Sequence, residues 1–132
     1  MLTHWSGPVA VGFSLAAASA YVASHNPHTE QIIPPCLLRS TTGILCPACG
    51  GTRAVYDLLH GDIAGALHMN AFAVLFLIPP AILGLAWWFA SALGWRTPAW
   101  RVPDWLLWVY LGLFAAFWIL RNLPPLAPYL GP

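Results

Sequence analysis

The chain contains no lysine, and its 132 residues carry only five arginines and four acids. A charged share of 7% is far below the roughly 25% of a soluble domain, which points to a bilayer as the solvent. The formal net charge of +1 removes any electrostatic case for nucleic acid. There is no internal repeat and no long low-complexity run. The leading stretch MLTHWSG has neither Lys nor Arg, which argues against a cleaved secretory signal despite the small residues Ala16 to Ala20. Cysteine is scarce too: three residues are too few for a disulfide framework, and any one pair leaves a thiol over.

What the chain has instead is hydrophobic residue, 59% of the total, with eight tryptophans. The few charges fall at Glu30, Arg39, Arg53, Asp57, Asp62, Arg96, Arg101, Asp104 and Arg121. Between them lie the charge-free windows Trp5 to Ser24, Asn70 to Gly94 and Trp105 to Leu120. A helix of about 20 residues crosses a hydrocarbon core of about 30 Å. The first two windows meet that length, and the third extends through Asn122 if Arg121 snorkels to the headgroups. The expected fold is an all-α integral membrane protein with three transmembrane helices and a Cys-containing interfacial or re-entrant helical loop between the first and second. It forms a single membrane domain over residues 1–132, with spans near 5–24, 70–93 and 105–122 and a loop over 25–69. Trp95, Trp100 and Trp105 mark an aromatic belt.

Within the loop, the proline-rich HNPHTEQIIPPC is expected to run extended. Thr52 reads as an N-cap for a short helix over RAVYDLLH, with Gly61 as its stop and Asp62 as the next cap. The helix from Ile63 is expected to continue through Asn70 into the second span, kinking at Pro79-Pro80. Arg96 and Arg101 in the short second loop favour a cytoplasmic position there, which puts the cysteine loop outside; Arg39, Arg53 and Arg121 count against it.

The stretch CPACGGTR, Cys46 to Arg53, concentrates the chemistry. Metal binding is the leading reading. A C-P-x-C-G turn has the shape of a zinc knuckle, and glycine after the second thiol permits positive φ. Cys36 supplies a third ligand and His60 the best fourth, with His25, His28 and His68 behind it; zinc or iron is the implied ion. The second reading is a thiol–disulfide oxidoreductase using Cys46 and Cys49, and the third is a structural disulfide. Arg53, unfavourable in the first turn of a helix, implies a nearby anion and is the candidate cofactor-binding residue. Bland alternatives stand beside these: an Arg53–Asp57 ion pair one turn apart, a solvated His25/His28 pair, and Tyr56 and His60 merely packing at the interface. For Arg121 and Asn122, snorkelling is the default, and an Arg-Asn pair facing the first loop is the sharper alternative.

The run PPC-x9-CPACGGTRAVYDLLHGDIAGALHMN resembles the signature of a family of small bacterial membrane proteins known as domain of unknown function 2752. Cys36, Cys46, Pro47, Cys49, Gly50, Thr52, Arg53, Ala54, Gly61, Asp62 and Asn70 carry the resemblance. The tail Arg121 to Pro128 is similar as well. Leu37 stands where members usually have a second proline, and Ala48 where they often have glycine; neither change removes a ligand. The resemblance implies a bacterial inner-membrane, multi-pass protein and carries no activity with it. The expected role is non-catalytic: a metal-stabilised module in the lipid bilayer that serves a membrane protein partner or self-associates.

Overall fold

The computed structural model describes residues 3–97 and 101–131. Met1 and Leu2 of the leading stretch, and Trp100 of the expected aromatic belt, lie outside the described residues. Among those described, the structure is all-helical with no strand. The helices are α1 (Thr3–Ser24), α2 (Leu37–Thr42), α3 (Gly51–Leu59), α4 (Ile63–Phe72), α5 (Ile78–Ala92), α6 (Asp104–Leu120) and α7 (Ala127–Leu130), with a π-helical turn, Ala73–Leu77, between α4 and α5.

Two helical stretches are long and apolar enough to cross a membrane, Ser6–Ser24 and Ile63–Ala92. Only 6% and 11% of their windows are buried, which does not fit the core helix of a soluble protein. The third expected span is less clear, because α6 is apolar but has only 17 residues. Trp95 and Trp105 are 68% and 63% exposed at the two sides of the second loop.

The long second stretch departs from the straight helix expected through Asn70. Asn70 itself has extended backbone angles (φ −160°, ψ 87°), and its Oδ1 accepts the N–H of Ala73, as an N-cap does for a new helix. The π-turn follows directly. It ends two residues before Pro79, whose ring would press on the carbonyl four residues back, so the proline pair disturbs the preceding turn rather than the position it occupies.

The small core lies where α3 meets α4: Ala54, Ala66 and Val74 are buried, with Leu58, Leu67 and Met69 packed around them. α1 packs against α3 and α5, and α7 against α4. Gly12 of α1 allows a close approach, since an added Cβ would meet the Phe89 ring at 2.8 Å. α6 is attached mainly through side chains: the rings of Tyr110, Phe114 and Phe117 surround Phe72 at centroid distances of 5.4–5.6 Å.

The expected start of α3 also shifts. Gly50, not Thr52, is the N-cap, and it sits in the left-handed region (φ 81°). Gly61 stops the helix with φ 81°, and Asp62 Oδ1 caps α4 by accepting from Gly65 N at 2.8 Å, both as expected. The adjacent glycines therefore differ in kind. Gly50→Ala forces an L-residue into left-handed geometry and should destabilise by about 1–2 kcal/mol. Gly51 has a negative φ and open space at its Cβ position, so Gly51→Ala should stabilise by about 0.5 kcal/mol. Thermal unfolding in mild detergent reads both, and equal effects would contradict this placement of the cap.

Candidate functional site

Pro47 sits second in a tight turn closed by the Cys49 N–H donating to Cys46 O at 3.1 Å, the position where its fixed φ is favoured. Gly50 then reverses the chain into α3. The result aims both cysteines of the turn back toward Cys36, which lies immediately before α2. The three Sγ atoms all fall within 4.8 Å of one another, and Cys46 Sγ and Cys49 Sγ are 3.1 Å apart. All three are free thiols. A tetrahedral zinc–thiolate set with bonds of about 2.3 Å has sulfur–sulfur edges of about 3.8 Å, inside that range.

The thiols are not equivalent. Cys36 is lowered from 9.0 to about 7, because the Arg39 N–H at the open start of α2 favours its thiolate and the Cys46 thiol adds to it, although no cap hydrogen bond of normal geometry forms. Cys49 is raised to about 11, first by burial and then by the Cys46 thiol beside it.

The turn's carbonyl oxygens are collected by side chains from two distant helices. Arg121, fully buried, donates from Nη1 to Cys46 O (3.0 Å) and Pro47 O (3.2 Å), and from Nη2 to Cys49 O (3.1 Å). Asn70, also fully buried, donates from Nδ2 to Pro47 O (2.8 Å) and Cys49 O (3.2 Å). Asn122 clasps Leu45 on both sides, accepting its N–H at 2.8 Å and donating to its carbonyl at 2.9 Å; Trp118 Nε1 donates to the same oxygen. The snorkelling expected of Arg121 is thus overturned. Of the three carbonyls it reaches, those of Pro47 and Cys49 have no backbone partner among the described residues, and the guanidinium supplies the donors they lack. Arg121 Nε has no partner, and among the described residues no carboxylate pairs with this buried cation.

The other polar residues also settle differently from the local reading. Asp57 pairs with His28, Nε2 to Oδ1 at 2.8 Å, and not with Arg53. Arg53 Nε instead donates to Pro27 O at 3.1 Å, so the two contacts fasten the Pro27–His28 part of the loop onto α3. Asn26 to Glu30 form a turn, which leaves only the later part of that segment extended. His60 holds Tyr56 O at 2.8 Å at the far end of α3 and stacks on the Tyr56 ring. His25 bonds Tyr21 O, and His68 lies 3.2 Å from Pro128 O. No histidine belongs to the sulfur cluster among the described residues. Asn70 was legible only as an Asn at the mouth of a hydrophobic span; its role in holding the turn had no local signal.

Above the sulfurs opens a cleft of about 730 Å³, whose walls include Cys36, Cys46, Cys49, Arg39, Arg53 and Glu30. On the other side of the same turn, an apolar cavity of about 240 Å³ runs between Phe72, Tyr110 and Phe114.

A family described as "Protein of unknown function (DUF2752)" matches residues 36–89, from the first cysteine through α5. The match bears out the resemblance read from the sequence and leaves Arg121 and Asn122 outside it. No curated protein and no solved structure matches the chain.

Two outcomes follow. Arg121→Met strips three bonds from buried carbonyls and should cost about 3 kcal/mol, and Asn70→Ala about 2 kcal/mol. Unfolding in detergent measures both against the exposed control Arg101→Gln; an Arg121→Met protein as stable as the control would sink the account. In the metal-free protein, iodoacetamide should modify Cys36 before Cys49. Because the thiolate is the nucleophile, the Cys36 rate climbs as pH rises through about 7 and then levels, while Cys49 stays slow up to pH about 9. Peptide mass spectrometry gives the order.

Proposed function

We propose that the chain is a multi-pass protein of the bacterial inner membrane whose 36–53 loop is a metal–thiolate centre, zinc or iron, that stabilises the module and presents it to a partner. The observation that carries the reading is the convergence of Cys36, Cys46 and Cys49 Sγ within 4.8 Å. Electrostatics supports it. Three thiolates around a divalent ion carry one net negative charge, which offsets the buried Arg121 behind the turn, a cation otherwise answered by carbonyl dipoles and the Phe117 ring. Cys49, protonated at neutral pH by its burial, gives up its proton when a metal binds.

In this reading α6 is the third span. Its 17 residues reach about 26 Å, a shortfall that local thinning of the bilayer accommodates. His60 stands at the far end of α3 from Cys49, so a ligand role for it would require the helix end to move.

A second reading, a membrane thiol oxidoreductase, is favoured by one observation. The lowered Cys36 thiol faces the Cys46/Cys49 pair, which suits thiol–disulfide exchange as well as metal binding.

Elemental analysis of protein purified in mild detergent without chelators separates the two. The expected result is about one zinc or iron per chain, lost in Cys46→Ser, with a strong chelator lowering the unfolding temperature of the wild type. Metal-free protein whose Cys46 and Cys49 titrate as a disulfide would overturn the metal reading and favour the redox one.

A further inference from the structure

A metal held by three thiolates has one coordination position left. The residues that line the cleft indicate what occupies it. Zinc and related ions are four-coordinate in such sites, and three protein ligands with an open fourth position are the pattern of a site that takes an exogenous group. Of the histidines whose side chains are described, His60 and His25 bond main-chain oxygens, His68 lies beside Pro128, and His28, in the cleft wall, is engaged through Nε2 with Asp57. On the open side the sulfurs face the cleft of about 730 Å³, with Gly50 and Gly51 in its wall. No atom lies within 4 Å of the place a Cβ would occupy on Gly51. That wall is bare backbone.

The charge around the opening is the second observation. Arg39 and Arg53 both line the cleft, and Arg53 is held in place through Nε, which donates to Pro27 O and leaves the rest of the guanidinium to the cleft. Arg121 answers the single negative charge of a tris-thiolate centre from behind. The two arginines in front have no carboxylate within ion-pair distance among the described residues, and Glu30 is the one acidic residue lining the cleft. Surplus positive charge beside a metal with an open position selects a negatively charged donor, and the arginine fork adds charge-assisted hydrogen bonds to it.

We infer that the Cys36/Cys46/Cys49 centre keeps its fourth coordination position for a small anionic ligand that enters through the cleft and is gripped by Arg39 and Arg53. The inference rests on the metal–thiolate reading of the site. It deepens that reading from a structural knot to a binding site. The donor atom replaces a metal-bound water, so no bond to carbon is made or broken and no electron changes hands. A soluble anion and the headgroup of an anionic lipid share this chemistry.

The test uses full-length protein in mild detergent, loaded with cobalt(II) and titrated with sodium azide. A thiolate-to-cobalt charge-transfer band reports metal binding, and the ligand-field bands report the fourth ligand. The expected result is a saturable shift of the ligand-field bands with the charge-transfer band retained. Arg39→Gln and Arg53→Gln should each weaken azide about tenfold while keeping the charge-transfer band, which shows that the centre still assembles. Absence of that band in the wild-type protein would overturn the metal reading and this inference together. A charge-transfer band with ligand-field bands indifferent to azide would overturn the inference alone. So would an altered azide-free spectrum in Glu30→Gln or His28→Gln, because the fourth ligand would then be internal. Unchanged azide affinity in both arginine variants would remove the arginines from the site. Repeating the titration in nanodiscs of zwitterionic and of anionic lipid distinguishes the sources: azide binding weakened only in the anionic discs identifies a headgroup as the competing ligand, and equal binding in both identifies a soluble anion.

Discussion

The structure depends on satisfying a handful of backbone carbonyls. In the turn from Leu45 to Cys49 the oxygens of Cys46 and Ala48 accept from nearby backbone N–H groups, but those of Leu45, Pro47 and Cys49 have no backbone partner among the described residues, and the turn is half-buried with Cys49 buried. Carbonyls left without partners away from water are costly, so the chain brings donors to them: Arg121 and Asn122 from the end of α6, Trp118 one turn earlier, and Asn70 from the kink inside α4. With its carbonyls fixed on one side, the turn holds its sulfurs out on the other. The position of the cysteines follows from what happens at their backs.

The same constraint accounts for two irregularities. Asn70 leaves helical geometry as its side chain takes two roles, donating to the turn and capping the helix that resumes after it by accepting the Ala73 N–H. A continuous helix would carry its amide elsewhere. Arg121 remains buried although it stands at the end of an apolar helix, where a long cationic side chain ordinarily reaches for water. Three carbonyl oxygens and the face of the Phe117 ring, 5.0 Å from its Cζ, take the place of solvent. In the proposed metal–thiolate reading, the residual positive charge favours a negatively charged sulfur centre on the far face of the turn.

Docking of α6 illustrates how little of this assembly rests on close backbone packing. Its middle touches the rest of the chain through aromatic rings gathered around Phe72, and its end through polar side chains that reach the loop. An apolar helix in a lipid environment gains little from burying its flank against another apolar helix, since lipid is just as apolar; directional contacts do more to fix its place. The polar end of α6 supplies them.

The sequence by itself determined the all-helical character, the two long apolar stretches, the caps at Gly61 and Asp62, and the grouping of Cys46 with Cys49, because each of these is written in local composition or in residues a few positions apart. It placed Cys36 with them as a third ligand from the four-ligand demand of zinc and its place ten residues upstream. Only the tertiary structure decided that Asp57 takes His28 and not the arginine one turn away, that Arg121 and Asn122 turn inward, and that Asn70 breaks its helix to hold the cysteine turn. Those contacts join residues 21 to 77 positions apart, and the local defaults, an intrahelical ion pair and a snorkelling arginine, are worth only tenths of a kcal/mol or a headgroup's solvation. A half-buried turn whose Pro47 and Cys49 carbonyls lack backbone partners outweighs both, and nothing within a few residues of Arg121 announces that the turn will be there.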